Sequence, residues 1–303
     1  MLRALRGCNE NIALPAKAAA NLDGAQIQAY LRHAYSERRP YHPWLSIWRY
    51  FADRQGTLLD VGANVGHTIA SLAICNTRTR IWAFEPHVLC PECLAFAADL
   101  VPNGVTVFLG ALGDTDGELP LYLPVVRDRK GFTPGSNASL RRTEFAKRHV
   151  IERLVTDTLG PDSLSVLALP SVIRTPPSVE EDDPGDLRIV KIDVEGLERK
   201  VLEGLTPLIR KHRPVMTVDR NNWPEVGQWL RRENYAAFYD DETGALSRVP
   251  DGPAGGTSVD PLVLPLDRLD EVLAKAPAFA SLLAGKDPRS FLLRGQPATE
   301  PAS

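Results

Sequence analysis

The chain has 303 residues, of which 44% are hydrophobic and 24% charged, with a formal net charge of −3. That is ordinary usage for a chain that buries its own core without disulfides or metals, and it excludes the strong positive field of a nucleic-acid or anionic-membrane binder. No apolar run reaches the roughly 18 residues that a membrane-spanning helix needs.

At the N-terminus, MLRALRGCNENIALPAK has no apolar stretch of signal-peptide length. Four cysteines, Cys8, Cys75, Cys90 and Cys93, are few for a secreted disulfide protein of this size, so a reduced, cytoplasmic setting is expected. Cys90 and Cys93 form a lone CPEC without the second pair that zinc requires. Packing at a helix start is the simpler role for both sulfurs.

Residues 22–54 read as helical. Leu22, Ile27, Tyr30 and Leu31 recur at helical spacing, Pro40 and Pro43 interrupt the run, and Trp44, Leu45, Ile47, Trp48 and Phe51 form a second amphipathic stretch. Residues 1–55 are therefore expected to be a helical extension or cap. From Thr57 the pattern changes. Seven short apolar runs read as strands: Thr57–Val61, Arg80–Phe84, Val105–Leu109, Arg188–Val194, Val215–Val218, Ala236–Tyr239 and Leu262–Leu264. Helical stretches fall between several of them, at Thr68–Ile74, Pro91–Leu100, Glu198–Arg210 and Trp223–Glu233. Such alternation predicts an α/β domain over residues 56–265, with a mostly parallel sheet covered on both faces. GDTDGELPLYLP carries a tight-turn dipeptide, Asp116-Gly117, before an alternating run, and predicts a local antiparallel hairpin. Residues 172–187, with three prolines and a run of acids, read as a surface loop. Residues 266–303 are expected to hold a helix, broken near Pro277, and a disordered tail.

Two constellations carry chemistry. In LLDVGANVGHT, Leu58 to Thr68, a strand runs into a helix through a turn with two glycines, the nucleotide-cradling corner of an open α/β sheet. Gly62 permits the tight turn, and Gly66 allows close approach of a ligand or a helix. Glu85 ends the next strand, where a carboxylate can accept hydrogen bonds from both ribose hydroxyls. A dinucleotide needs G-x-G-x-x-G, so that its pyrophosphate can lie on the helix N-terminus. Aligned from Gly62, the second and third glycines fall on Asn64 and His67. S-adenosylmethionine, which has no phosphate, suits the turn better, with Asp60 placed to orient its ammonium end. In RIVKIDVEGLERKVLEGL, alternation puts Lys191, Asp193 and Glu195 on one face of a strand. Charges there are costly unless paired or used. An ordering ion pair of Lys191 and a catalytic set both satisfy that rule.

Together LLDVGANVGHT, AFEP, ALGDTDGELPLYL, SNASL and IVKIDVEGLERKVLEGL resemble the FkbM-type S-adenosylmethionine-dependent methyltransferases over roughly Thr57 to Tyr239. The resemblance implies a Rossmann-like class I methyltransferase fold with a mostly parallel seven-stranded sheet. It also implies O-methylation of a small molecule, sugar, glycan or natural product. By that resemblance Asp60, Gly62, Asn64 and Gly66 line the S-adenosylmethionine site, Glu85 holds its ribose, and Asp193 and Glu195 face the reacting centre; Ala63, Pro86 and Asp114 are expected in the cofactor site as well, and Lys191 in the catalytic set. Asp193 is then the proton acceptor, Glu195 stands beside it and Lys191 tunes their charge. No metal, nucleic-acid partner or membrane span is expected. Asp219 stands where the family more often has Glu. Two other functions share such a fold: a nicotinamide-dependent oxidoreductase and a non-catalytic cofactor-binding subunit.

Overall fold

The computed structural model describes residues 2–4, 24–37, 56–75, 79–86, 91–101, 104–128, 131–134, 164–176, 185–219, 223–240, 246–248 and 260–275. Its strands are β1 (Leu2–Ala4), β2 (Thr57–Val61), β3 (Arg80–Glu85), β4 (Val105–Leu109), β5 (Ala111–Leu112), β6 (Gly117–Asp128), β7 (Gly131–Pro134), β8 (Leu164–Arg174), β9 (Leu187–Ile192), β10 (Val215–Val218), β11 (Tyr235–Asp240), β12 (Leu246–Arg248) and β13 (Leu262–Pro265). Its helices are α1 (Gly24–Ser36), α2 (His67–Cys75), α3 (Pro91–Asp99), α4 (Glu198–His212), α5 (Trp223–Arg232) and α6 (Leu269–Lys275).

Nine strands form the main sheet, in the order β1-β4-β3-β2-β9-β10-β13-β11-β12. The inner seven are the runs expected from the sequence, and the short strands β1 and β12 extend both edges beyond the expected seven. The inner pairs β4-β3-β2-β9-β10 are parallel, while β13 enters antiparallel to both β10 and β11. Strand order thus reverses between β2 and β9. In open α/β sheets ligands bind outside the carboxyl ends of the strands at such a switch point.

The strands have apolar residues on both faces because helices cover both. One face carries Leu59, Val61, Val190, Ile192, Met216 and Val218, packed with Val201, Leu205 and Trp229 of α4 and α5. The other carries Leu58, Ile81, Val107 and Ile189, packed with Ile69 and Leu72 of α2 and Leu94 of α3. Leu31 of α1 is 1% exposed and joins that second cluster, so the N-terminal helix is built into the body of the protein. The other amphipathic stretch of the N-terminal region, Trp44 to Phe51, lies outside the described residues, as do Cys8, Cys90 and 276–303. Cys93 is buried and in no disulfide among the described residues.

A separate four-stranded sheet, β5-β8-β6-β7, was not expected. The alternating run after Asp116-Gly117 is indeed antiparallel, but β6 pairs with β8 along ten residues as well as with β7. Val172, Ile173 and Arg174, read from the sequence as loop, are the end of β8, with Val172 and Ile173 buried. Among the described residues no helix is long and apolar enough to cross a membrane.

Candidate active site

The turn from β2 to α2 spends its own backbone donors. The amides of Gly62 and Ala63 both donate to the carbonyl of Phe84, at 2.9 and 3.2 Å, and that of Gly66 donates to Ala63 O at 2.9 Å. The amide of Asn64 donates to the buried Glu85 carboxylate at 2.6 Å. A pyrophosphate cradle needs such amides to point outward; here those of Gly62, Ala63 and Asn64 bind the next strand, and that of Gly66 bonds back within the turn. Glu85 thereby holds the turn and still lies at the end of β3, with Pro86 half-buried behind it.

The glycines serve packing more than ligand clearance. Gly62 has φ of 85°, and a side chain there would overlap the carbonyl of Asp193. Its bareness lets the ends of β2 and β9 close. Gly66, with φ of 94°, would bring a Cβ to 2.5 Å from the Cβ of Ala97 on α3. Of the two partners expected for Gly66, a ligand or a helix, the atom that meets it is a helix. Asn64 takes the left-handed conformation without glycine, at φ of 50°, as Asn tolerates better than most residues.

A row of polar side chains crosses the sheet on one face. Asp60 of β2 lies opposite Lys191 of β9, and Lys191 lies opposite Thr217 of β10. All three are buried. The Lys191 ammonium donates to the Gly62 carbonyl at 2.6 Å, and lies 3.2 Å from Asp60 and 3.8 Å from Asp193. Neither Asp60 oxygen receives a well-formed hydrogen bond, so the ion pair is its compensation. Burial raises the Asp60 pKa, and Lys191 works against that rise. Burial also opposes the Lys191 charge, but Asp60 and Asp193 outweigh it and hold the ammonium above its ordinary pKa.

One row further along, the expected alternation breaks. The strand ends at Ile192, and Glu195 and Gly196 are both left-handed, at φ of 55° and 106°. Lys191 and Asp193 still meet. Glu195 lies in the turn rather than on their strand face, because two left-handed residues reverse the chain before a third strand position exists. The turn is fastened from the far side: the Gly196 amide donates to Glu198 Oε1 at 2.8 Å. Glu198 is buried, and its pKa is pushed up to about 7, chiefly by burial and also by Asp193 and Glu195, against the pull of its backbone hydrogen bonds.

Asp219 follows β10, and its amide donates to Ile192 O at 2.8 Å, which carries the ladder past both strand ends to the side of Asp193. Asp260 lies before β13, and its carboxyl is pushed up to about 7, chiefly by burial and also by Asp193. Asp114 lies apart from this group, exposed, with its carboxylate 3.8 Å from Lys200 of α4. Glu198, Asp219, Asp260 and Thr217 had no role assigned from the sequence. The E-G-L-E spacing was the available signal for Glu198. The sequon Asn137-Ala138-Ser139 and the rest of 135–142 lie outside the described residues. Among the described residues no group of three or more His, Cys, Asp or Glu could hold a metal ion.

The model of the methyltransferase FkbM domain matches residues 60–238. Hexuronic acid methyltransferase AglP of Haloferax volcanii is 26% identical over 158 residues, 51% of this chain and 52% of that protein. The chain thus spans about half the length of that curated relative. Among solved structures, methyltransferase FkbM from Methylobacillus flagellatus is similar with a TM-score of 0.41 and 14% identity, covering 79% of this chain and 60% of that one. Precorrin-6y C5,15-methyltransferase from Geobacter metallireducens is similar with a TM-score of 0.33 and 12% identity, covering 73% of this chain and 84% of that one.

Proposed function

The chain belongs to the FkbM methyltransferase family, and on that premise we propose that it transfers the methyl group of S-adenosylmethionine to a hydroxyl oxygen of a sugar or other small molecule. The observation that carries the cofactor choice is the turn whose amides are spent on Phe84, Ala63 and Glu85. Such a turn favours a nucleoside without phosphate over a dinucleotide. The chemistry of the donors fits: two buried carboxylates, Asp60 and Glu85, flank it, suited to an ammonium group and to ribose hydroxyls. Gly62, Ala63, Asn64 and Gly66 form the floor between them, and Pro86 and Asp114 border the adenine side.

When bound, S-adenosylmethionine supplies a methyl group activated on a sulfonium, open to in-line displacement. The chain supplies alignment and a proton acceptor. Lys191 fixes Asp60 and the Gly62 carbonyl on one side and attracts Asp193 on the other. The acceptor hydroxyl lies against Asp193, with Glu195 at its flank. There Asp193 would take up the proton that the hydroxyl gives up. A sugar acceptor is supported by the name of the hexuronic acid methyltransferase, with which this chain shares 26% identity over half its length.

Calorimetry with S-adenosylmethionine and with NAD, followed by transfer of radiolabelled methyl to a panel of sugars, uronates and hydroxylated metabolites, tests the proposal. Binding of the first ligand with label fixed in an alkali-stable ether is expected. Binding of NAD alone would overturn the cofactor assignment, and cofactor binding with no label transferred to any hydroxyl would overturn the reaction.

A further inference from the structure

The turn that carries Asp193 and Glu195 runs between two anchored ends. At the strand end the Asp193 amide donates to Val61 O at 3.0 Å, and the Asp193 carbonyl fills the space where Gly62 lacks a side chain. At the helix end α4 begins at Glu198, after Leu197. It is seated by Val201, Leu202 and Leu205, all buried against the sheet. Between these ends Glu195 and Gly196 are both left-handed, at φ of 55° and 106°. Glycine accepts that conformation freely, whereas the Cβ of a glutamate crowds the backbone there. A left-handed residue other than glycine persists where its surroundings hold it.

A side chain two residues further on supplies that hold. The residue ahead of a helix often caps its first amides with a side-chain oxygen. Leu197, in that position, has no such oxygen and makes no side-chain cap. Glu198, the first residue of α4, reaches backwards instead, and its Oε1 accepts the Gly196 amide at 2.8 Å. Gly196 precedes the helix, so this bond fastens the turn and not the helical ladder. Glu198 is fully buried, where a carboxyl is costly unless it is hydrogen-bonded. Asp193 depends on such backbone support. Its side chain is 40% exposed and lies 3.8 Å from Lys191, its ion-pair partner, so the turn beneath it sets where its carboxylate stands.

We propose that Glu198 is a positioning residue for methyl transfer: by accepting the Gly196 amide it holds the left-handed turn that sets Asp193 and Glu195 at the reacting centre. Glu198 acts through the turn and takes no proton from the acceptor. The inference rests on the reading of Asp193 as proton acceptor. It requires the oxygen of Glu198 as a hydrogen-bond acceptor and not its charge. A side-chain amide keeps a carbonyl oxygen that can accept the same bond, so Glu198→Gln preserves the fastening. Glu198→Leu removes it at similar volume and leaves the Gly196 amide without this partner.

The test compares the full wild-type chain with Glu198→Leu and Glu198→Gln, each held well below its melting temperature. Hydrogen exchange of the Gly196 amide is followed by NMR on chains labelled at glycine nitrogen. The kcat of methyl transfer and the calorimetric Kd for S-adenosylmethionine are measured beside it. The Gly196 amide is expected to be protected in wild type and in Glu198→Gln, and to exchange roughly tenfold faster or more in Glu198→Leu. In Glu198→Leu kcat should fall by roughly ten- to a hundred-fold, the scale of a small misplacement of a reacting group, with Kd within a few-fold of wild type. Glu198→Gln should recover most of that loss. An unprotected Gly196 amide in wild type overturns the proposal. So does a Glu198→Leu variant that turns over like wild type or loses cofactor affinity as much as rate, and so does a Glu198→Gln variant as slow as Glu198→Leu. Should Glu198→Leu not fold, the wild-type exchange and the Glu198→Gln rate decide, a tenfold fall in the latter overturning the proposal. Exchange is read without acceptor, so it stands apart from the reaction. A fully active Asp193→Asn variant would reject Asp193 as proton acceptor, while a protected amide with a slow Glu198→Leu variant would leave Glu198 positioning the turn through Glu195.

Discussion

Lys191 donates to the carbonyl oxygen of Gly62 at 2.6 Å, from the far side of a 129-residue stretch of sequence. One ammonium thereby joins the two motifs that the sequence presents separately. The glycine turn is held from below by this bond and from the side by Glu85. Burial raises the Asp60 pKa, and the same ammonium, 3.2 Å away, opposes that rise.

Removal of that cation should therefore cost more stability than a surface pair would. Lys191→Met leaves Asp60 buried and uncompensated, and breaking one side of a buried pair typically costs about 3–5 kcal/mol. Urea denaturation of the variant should show the loss. The double variant Lys191→Met with Asp60→Asn should recover part of it. A single variant as stable as wild type would show that Asp60 is neutral in the folded protein.

Asp193→Asn should behave differently. Its contact with Lys191 is the longest of the three, at 3.8 Å, and its side chain is 40% exposed. Lys191 keeps Asp60 and Gly62 as partners, so the melting temperature should move little. Turnover should fall by roughly a hundred-fold or more, the usual scale of a lost general base, with cofactor affinity within a few-fold of wild type. A rate near wild type would remove Asp193 from the proton path.

Glu85→Ala should weaken S-adenosylmethionine binding, and it also leaves the Asn64 amide without its acceptor. A hydrogen bond to a charged group contributes about 1.5–3 kcal/mol, so one lost ribose bond should raise Kd by roughly ten-fold to a hundred-fold. Glu85→Gln separates the two effects, since its amide oxygen can still serve Asn64. Calorimetric affinity equal to wild type in both variants would take the ribose away from Glu85.

Gly66→Ala tests the packing role of the turn. Its added methyl meets Ala97 Cβ at 2.5 Å, and overpacking of this kind costs about 1–3 kcal/mol. Ala97→Gly in the same chain should restore much of that loss, leaving the strain of φ at 94°. No rescue by the second change would mean that strain alone sets the cost.

Glu198 makes stability pH-dependent with a definite sign. Its folded pKa, about 7, is raised above the ordinary 4.5, so the folded state binds this proton more tightly than the unfolded chain does. The stability it contributes is fully present below pH 4.5 and is lost as pH rises through about 7. Over that window the shift corresponds to about 3 kcal/mol. Glu198→Gln keeps an acceptor for the Gly196 amide and cannot ionise. Its melting temperature should fall less than that of wild type between pH 5 and 8.

Much of the frame was legible because buried strands announce themselves as short apolar runs, and all seven inner strands follow that rule. The second sheet was not. LSVLALPSVIR has a proline at its centre, which argues against an interior strand. In the folded chain Pro170 of β8 lies opposite Pro120 of β6, so both missing donors fall on the same rung. In the site, alternation placed Lys191 and Asp193 together but failed at Glu195, because a period of two holds only while the backbone stays extended. Asp260 carries no local signal at all. It comes to the end of β10 through β13, an antiparallel neighbour whose pairing no local pattern reveals.

The Phe84 carbonyl that takes both the Gly62 and Ala63 amides has a thermodynamic consequence. A loop with the amides of Gly62, Ala63, Asn64 and Gly66 already bonded within the fold has less of a competing solvated form to give up when a ligand arrives. Ordering entropy, often a large debit in association, was spent here during folding. A nucleoside landing on this corner meets a rigid surface, so its affinity reports contacts made rather than a conformation induced, and the corner should have the same shape with and without its guest.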